Sequence, residues 1–195
     1  MRAAICVPCR AATSALSLSP VLIKAAARET GAKVVVTLRA FPKTDVPQKV
    51  AEAVRHAPSV KTVLEVDLNR YLAPPKSWIV PLIRPKNPHS HSANVKDFNA
   101  ECAKHSADRL AFADRSTDHT AAYFHTGGTT GMPKGIVQSC GMRWAQLQRS
   151  PANGFGPDAV TLLAIPLYSN LTLTYLFGAI GLGGTVVLMG KFDAG

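Results

Sequence analysis

Apolar residues along this chain fall into short β-branched runs, separated by stretches whose composition favours helix. Residues 20–30 are rich in alanine and are followed by Gly31, which predicts a helix with glycine as its stop. Residues 32–38 (Ala-Lys-Val-Val-Val-Thr-Leu) read as a short strand. Residues 46–56 read as a helix, with Asp45 as its N-cap and Pro47 in the first turn. Residues 61–66 return to strand. This strand-helix-strand alternation is the pattern of a parallel sheet covered by helices.

The rhythm breaks over residues 72–94, which contain Pro74, Pro75, Pro81, Pro85 and Pro88 and read as a proline-rich connecting loop. His89 and His91 lie near its end; two histidines without a third ligand read as solvated loop residues rather than a metal site. A short helix is expected over 97–105. Residues 120–124 read as a strand running into a glycine-rich stretch, and 135–139 as a strand leaving it. A helix over 141–149 follows, with Trp144 and Leu147 on one face and Gln146 and Arg149 on another. Strand, helix and strand are then expected at 160–165, 171–180 and 185–189.

No charged residue occurs from Ala159 to Gly190, which hydropathy alone would read as a membrane helix. Pro166, Ser169-Asn170 and Gly181-Leu-Gly-Gly184 cut the run into pieces of about eight, ten and five residues, too short to span a bilayer. Buried strand, helix and buried strand is the better reading, and no transmembrane segment is expected.

Composition narrows the class without deciding it. The chain has 195 residues, 47% hydrophobic and 17% charged, which fits a folded globular protein and argues against disorder. Lys and Arg number 22 against 12 Asp and Glu, a formal net charge of +10. The basic residues are scattered and no zinc-finger or RNA-binding signature accompanies them, so a phosphate-rich small molecule is expected as partner rather than nucleic acid. Cys6-Val-Pro-Cys9 has C-x-x-C spacing but no second ligand pair and no recognisable strand before it. Reduced thiols are the expectation there, and Cys102 and Cys140 have no evident partner. The first 28 residues are basic and rich in Ala and Ser, with no acid before Glu29, as in transit peptides; the cytoplasm is the default location.

The chemistry concentrates in His125-Thr-Gly-Gly-Thr-Thr-Gly-Met-Pro-Lys-Gly135. Gly127, Gly128, Gly131 and Gly135 permit positive φ angles and let backbone N–H groups point into one concavity. Thr126, Thr129 and Thr130 add hydroxyl donors, and Lys134 adds a mobile charge suited to phosphate oxygens. Pro133 fixes φ just before that lysine. The Walker A pattern fails, because Lys134 follows Pro133 and is followed by Gly135; the dinucleotide pattern G-x-G-x-x-G fails on its first spacing. A plain strand-joining turn rarely needs so many glycines and threonines closed by Pro-Lys-Gly.

This run resembles the phosphate-binding signature of the acyl-adenylate-forming superfamily, [YF]-T-S-G-T-T-G-x-P-K-G. That group takes in acyl-CoA synthetases, firefly luciferase and the adenylation domains of peptide synthetases. Tyr123-Phe124 stand at the strand end, and Thr129, Thr130, Gly131, Pro133, Lys134 and Gly135 match position by position. Gly127 stands where the pattern has Ser, so a hydroxyl is lost and the backbone N–H remains. The His125-Gly127 variant is most like bacterial acyl-CoA synthetases and tilts the reading away from amino-acid activation. Ile165-Pro-Leu-Tyr168 and Gly183-Gly-Thr-Val-Val-Leu-Met189 resemble the next segment of the family, beside the acyl pocket, which makes Tyr168, Ser169 and Asn170 acyl-pocket candidates. The family often has a histidine after the aromatic residue; here Ser169 and Asn170 follow it. Residues 33–67 also resemble the family's units before the signature, and the likeness fades before about residue 19.

The resemblance implies an α/β fold with a partly parallel sheet layered with helices, an incomplete piece of the large N-terminal domain of adenylate-forming enzymes. Residues 1–18 are unassigned, 19–195 form a partial AMP-binding domain, and the C-terminal domain is absent. It implies that a carboxylate oxygen of a small-molecule acid, expected to be a fatty acid, attacks the α-phosphorus of ATP, releasing pyrophosphate. Coenzyme A then displaces AMP to give a thioester. Thr126, Gly127, Gly128, Thr129, Thr130, Gly131 and Lys134 would hold the β- and γ-phosphates alongside Mg²⁺. Lys134, Thr129 and Thr130 would act on the departing pyrophosphate. The later adenine, ribose and lysine motifs of the family do not occur after Gly135, and the chain stops just after a strand, so a fragment lacking the rest of the enzyme and unable to complete adenylation alone is expected. The competing reading is a non-catalytic nucleotide-binding module that works with another chain.

Overall fold

A computed structural model describes residues 4–6, 20–42, 44–85, 92–106, 108, 116–125, 135–165, 167 and 169–189, with the side chains of 4–6, 20–22 and 125 left aside. The chain divides into two compact units, Met1–Leu110 and Ala111–Gly195.

In the first unit, strands β1 (Ala4–Cys6), β2 (Val34–Leu38), β3 (Thr62–Val66) and β4 (Asn94–Asp97) form one sheet in that order, every neighbouring pair parallel. Cys6 thus ends a strand that the sequence did not announce. Helices α1 (Pro20–Thr30), α2 (Val46–Arg55), α3 (Lys76–Ile83) and α4 (Phe98–Cys102) alternate with the later strands. Gly31 adopts φ +60, and Ala32 N–H donates to Ala27 O at 3.1 Å, so the glycine closes α1 as expected. Helix α2 buries Val46, Val50, Ala53 and Val54, spacings of four, three and one that make a single apolar stripe. That stripe packs with Ile23 and Ala27 of α1 and with the register partners Val35 and Val63, both 0% exposed.

Two sequence expectations change here. Asp45 precedes α2 but makes no capping bond; Thr44 Oγ1 accepts from Val46 N–H at 3.3 Å, while Asp45 pairs with Lys49 one turn on at 3.0 Å. The proline-rich stretch 72–94 is not all loop, since α3 occupies Lys76–Ile83. Pro74 and Pro75 precede that helix and Pro85 follows it. Only Pro81 lies inside, where its missing N–H removes one helical bond. His89 and His91, like Cys9, lie outside the described residues.

In the second unit, β5 (Thr120–His125) and β6 (Gly135–Ser139) pair antiparallel. Strand β6 passes directly into α5 (Cys140–Arg149), because Ser139 Oγ accepts from Met142 N–H at 3.1 Å and caps it. A parallel pair, β7 (Val160–Leu163) and β8 (Thr185–Leu188), is joined through α6 (Asn170–Gly181). The expected strand-helix-strand order over 160–189 is present, but not its burial. Val160, Leu162, Leu188 and Ile180 are all more than half exposed, and Leu163 and Ala179 are the apolar side chains there that are buried. A parallel strand is buried when its sheet is covered on both faces, and among the described residues α6 is the helix packed most against this pair. No helix among them is long and apolar enough to cross a membrane.

Candidate functional site

The glycine-rich run sits between β5 and β6. Tyr123 pairs with Val137, Phe124 with Ile136 and His125 with Gly135 across an antiparallel ladder. Partners in such a ladder have Cα atoms about 4.5–5.5 Å apart, so His125 and Gly135, the residues that flank 126–134, are held side by side. Thr126, Gly127, Gly128, Thr129, Thr130, Gly131 and Lys134 themselves lie outside the described residues, as does Tyr168.

The other acyl-pocket candidates are placed. Ser169 is the N-cap residue of α6 and makes no side-chain capping bond; its carbonyl accepts from Leu173 N–H at 3.0 Å. Asn170 opens the helix, and its Oδ1 accepts two hydrogen bonds, from Gln138 Nε2 of β6 at 3.0 Å and from Arg143 Nη2 of α5 at 3.1 Å. Its carboxamide oxygen is therefore committed to neighbouring elements.

Arg143 and Gln138 were not singled out by sequence. Arg143 also donates through Nη1 to Gln146 Oε1 at 3.0 Å, and its guanidinium carbon lies 5.2 Å from the Phe124 ring centre and 5.6 Å from that of Phe177. Burial pulls its pKa below the ordinary value, though an arginine stays charged. Gln138 is 4% exposed, and its Oε1 has no partner among the described residues. No local pattern announces such a cluster, because its members come from β5, β6, α5 and α6.

Beside α6 lies an open cleft of about 450 Å³ between Asn153–Phe155, β7 and the helix, with Tyr175 and Thr172 on its wall. The buried Thr172 hydroxyl has no partner among the described residues. The described residues hold no group of three or more His, Cys, Asp or Glu able to grip a metal ion.

Comparison with known proteins decides the family. The family described as AMP-binding enzyme matches residues 2–194. The chain belongs to the AMP-binding enzyme family. The match takes in residues 2–18, within the N-terminal stretch 1–18 that the sequence leaves unassigned. Among curated members, the 2-succinylbenzoate–CoA ligase of Bacillus pumilus (strain SAFR-032) is 40% identical over 81 residues, 41% of this chain and 17% of that protein. Long-chain fatty acid transport protein 3 of Homo sapiens is 32% identical over 118 residues, 55% of this chain and 16% of that protein. Among solved structures, the anthranilate CoA ligase AuaEII in complex with anthranoyl-AMP aligns with a TM-score of 0.64 at 16% identity, over 93% of this chain and 30% of that one. At that identity the likeness speaks for the α/β fold. This AMP-binding chain thus matches less than a third of the length of each of these proteins.

Chemically, the arrangement offers two paired strands, β5 and β6, that flank residues 126–134. Next to it stands a cation wedged between two aromatic rings and bonded to the first residue of α6.

Proposed function

We propose that residues 126–134 are the phosphate grip of an ATP site, and that the chain is part of an ATP-dependent acyl-CoA synthetase. In such an enzyme the substrate carboxylate attacks the α-phosphorus and pyrophosphate leaves. The acyl-adenylate then passes its acyl group to the thiol of coenzyme A, with AMP as leaving group. The observation that carries this reading is the pairing of His125 with Gly135, which flanks a segment bearing three glycines and three threonines, whose backbone N–H groups can donate to phosphate oxygens beside the charge of Lys134. Thr126, Thr129, Thr130 and Lys134 are assigned to the β- and γ-phosphates, with the backbone of Gly127, Gly128 and Gly131. Mg²⁺ is placed on the phosphates themselves, as it commonly is in nucleotide sites. The names of the curated relatives support a CoA ligase; one acts on an aryl-bearing acid and another carries long-chain fatty acids in its name. We therefore assign a fatty or aryl carboxylic acid as substrate rather than an amino acid.

Titration calorimetry with Mg·ATP tests the core of this. The 195-residue chain is expected to bind it, and Lys134→Ala is expected to weaken binding roughly ten- to a hundredfold, the value of one charge-assisted hydrogen bond of about 1.5–3 kcal/mol. Equal affinity in the two proteins removes Lys134 from the site. The same 195 residues are expected not to complete adenylation: pyrophosphate release with fatty acid, ATP and Mg²⁺ above a Lys134→Ala control refutes that part.

A further inference from the structure

We infer that Arg143 is a positioning residue that ties the strand pair carrying residues 126–134 to the first turn of α6, so that the phosphate loop and the α6 side of the site keep one geometry. This rests on the phosphate-loop reading above. The guanidinium meets β5 and α6 directly and reaches β6 through Asn170. Phe124, one residue before the end of β5, presents its ring 5.2 Å away; Phe177 of α6 presents its ring at 5.6 Å. In its plane the same group donates to Asn170 Oδ1 at 3.1 Å and to Gln146 Oε1 at 3.0 Å. Asn170 Oδ1 is shared with Gln138 Nε2 at 3.0 Å, and Gln138 lies in β6, the strand that leaves the loop. Both strands flanking 126–134 are thus fastened, within a few residues of the loop, to the helix that follows the acyl-side segment.

Arginine suits this junction for a definite reason. A planar, delocalised cation can lie against aromatic faces while its N–H groups donate in the plane, whereas the ammonium of lysine offers a point charge without that plane. The buried Gln138 amide cannot turn to water if Asn170 moves, so breaking that bond leaves a polar group unpaired, at a cost in free energy. Small displacements matter at such a loop, since misplacing a binding group by about 1 Å can cost around a hundredfold.

The test is calorimetry of the 195-residue chain with Mg·ATP and, separately, with magnesium pyrophosphate, on the wild type, Arg143→Met, Arg143→Lys and Lys134→Ala. Amide hydrogen exchange over residues 120–125, 135–139 and 170–174 is read in parallel. Arg143→Met is expected to raise both Kd values about tenfold with stoichiometry unchanged, and to speed exchange at 170–174 and at the loop end of β5. Arg143→Lys is expected to recover little of the loss. A merely structural role gives a lower stoichiometry at unchanged Kd, and that result overturns the inference. So does full recovery in Arg143→Lys, or a Met variant within about twofold of the wild type. If the wild type binds neither ligand, or Lys134→Ala matches it, the phosphate-loop reading itself fails and this inference falls with it. Wild-type binding that depends on Lys134 but not on Arg143 sinks the inference alone.

Discussion

Replacing Asn170 with alanine removes the oxygen on which two elements converge. In the wild type, Gln138 is 4% exposed and donates from Nε2 to Asn170 Oδ1 at 3.0 Å, while its own Oε1 is already without a partner among the described residues. The alanine variant leaves the Nε2 of that buried amide without this acceptor, and an unsatisfied buried polar group costs about 1–3 kcal/mol. Arg143 also loses its bond at 3.1 Å, but it is only half-buried and water can replace the carbonyl, so little is added. For a unit of this size each kcal/mol lowers Tm by about 4–8 °C. Asn170→Asp is the informative comparison. It keeps an oxygen in place, sets a carboxylate beside the Arg143 guanidinium, and puts negative charge in the first turn of α6, where the helix dipole favours it by about 0.3–1 kcal/mol. Thermal unfolding followed by near-ultraviolet circular dichroism, at neutral pH and low salt, reads both variants. The alanine protein should melt lower by several degrees, and the aspartate protein at or above the wild type. If the alanine variant stays within about 0.5 kcal/mol of the wild type, or the aspartate variant is equally damaged, then Asn170 is not the junction described.

Other substitutions probe the rest of the chain. A Cβ at Gly184 would lie 2.7 Å from Gly156 O and 3.0 Å from Ala159 O, both backbone atoms that cannot step aside, so Gly184→Ala should destabilise by about 1–3 kcal/mol. At Gly181 the nearest atom is Leu147 Cδ1 at 2.7 Å, the tip of a flexible side chain, and alanine gains helix propensity, so Gly181→Ala should be far better tolerated; equal melting losses for the two would refute this reasoning. In the first unit, burial raises the Asp67 pKa, but a hydrogen bond from Arg84 at 2.6 Å, the Asn69 amide and the charges of Arg84 and Arg39 outweigh it and leave the carboxyl below its ordinary value. A carboxyl depressed on folding stabilises above its unfolded pKa and stops doing so as pH falls through the folded one. Stability should therefore drop as pH is lowered below about 4, and Asp67→Asn should be less stable at neutral pH yet show a flatter acid limb in urea unfolding.

Much of the local architecture can be read from the chain without coordinates. The runs at 34–38 and 62–66 are β-branched and flank an alanine-bearing helix, and local propensity with one apolar stripe suffices to make them adjacent parallel strands. The spacing of glycine, threonine, proline and lysine from Thr126 to Gly135 is the basis on which a phosphate loop is proposed, because backbone freedom, hydroxyls and charge are properties of residue types in order. Counting prolines misjudged 76–83, since what matters is whether a proline stands inside a helix or at its ends, and only Pro81 stands inside. Apolar content misjudged the exposure of 160–188, because burial depends on what covers a sheet rather than on the strand itself.

Only the tertiary structure joins Phe124, Gln138, Arg143, Asn170 and Phe177. They stand on four elements, none is within helical reach of all the others, and a shared oxygen at 3.0 and 3.1 Å is a fact of packing. Residue order determined which atoms could hold a phosphate. The fold decided what braces the strands on which those atoms depend, because long-range contacts arise from chain crossings that no local pattern encodes.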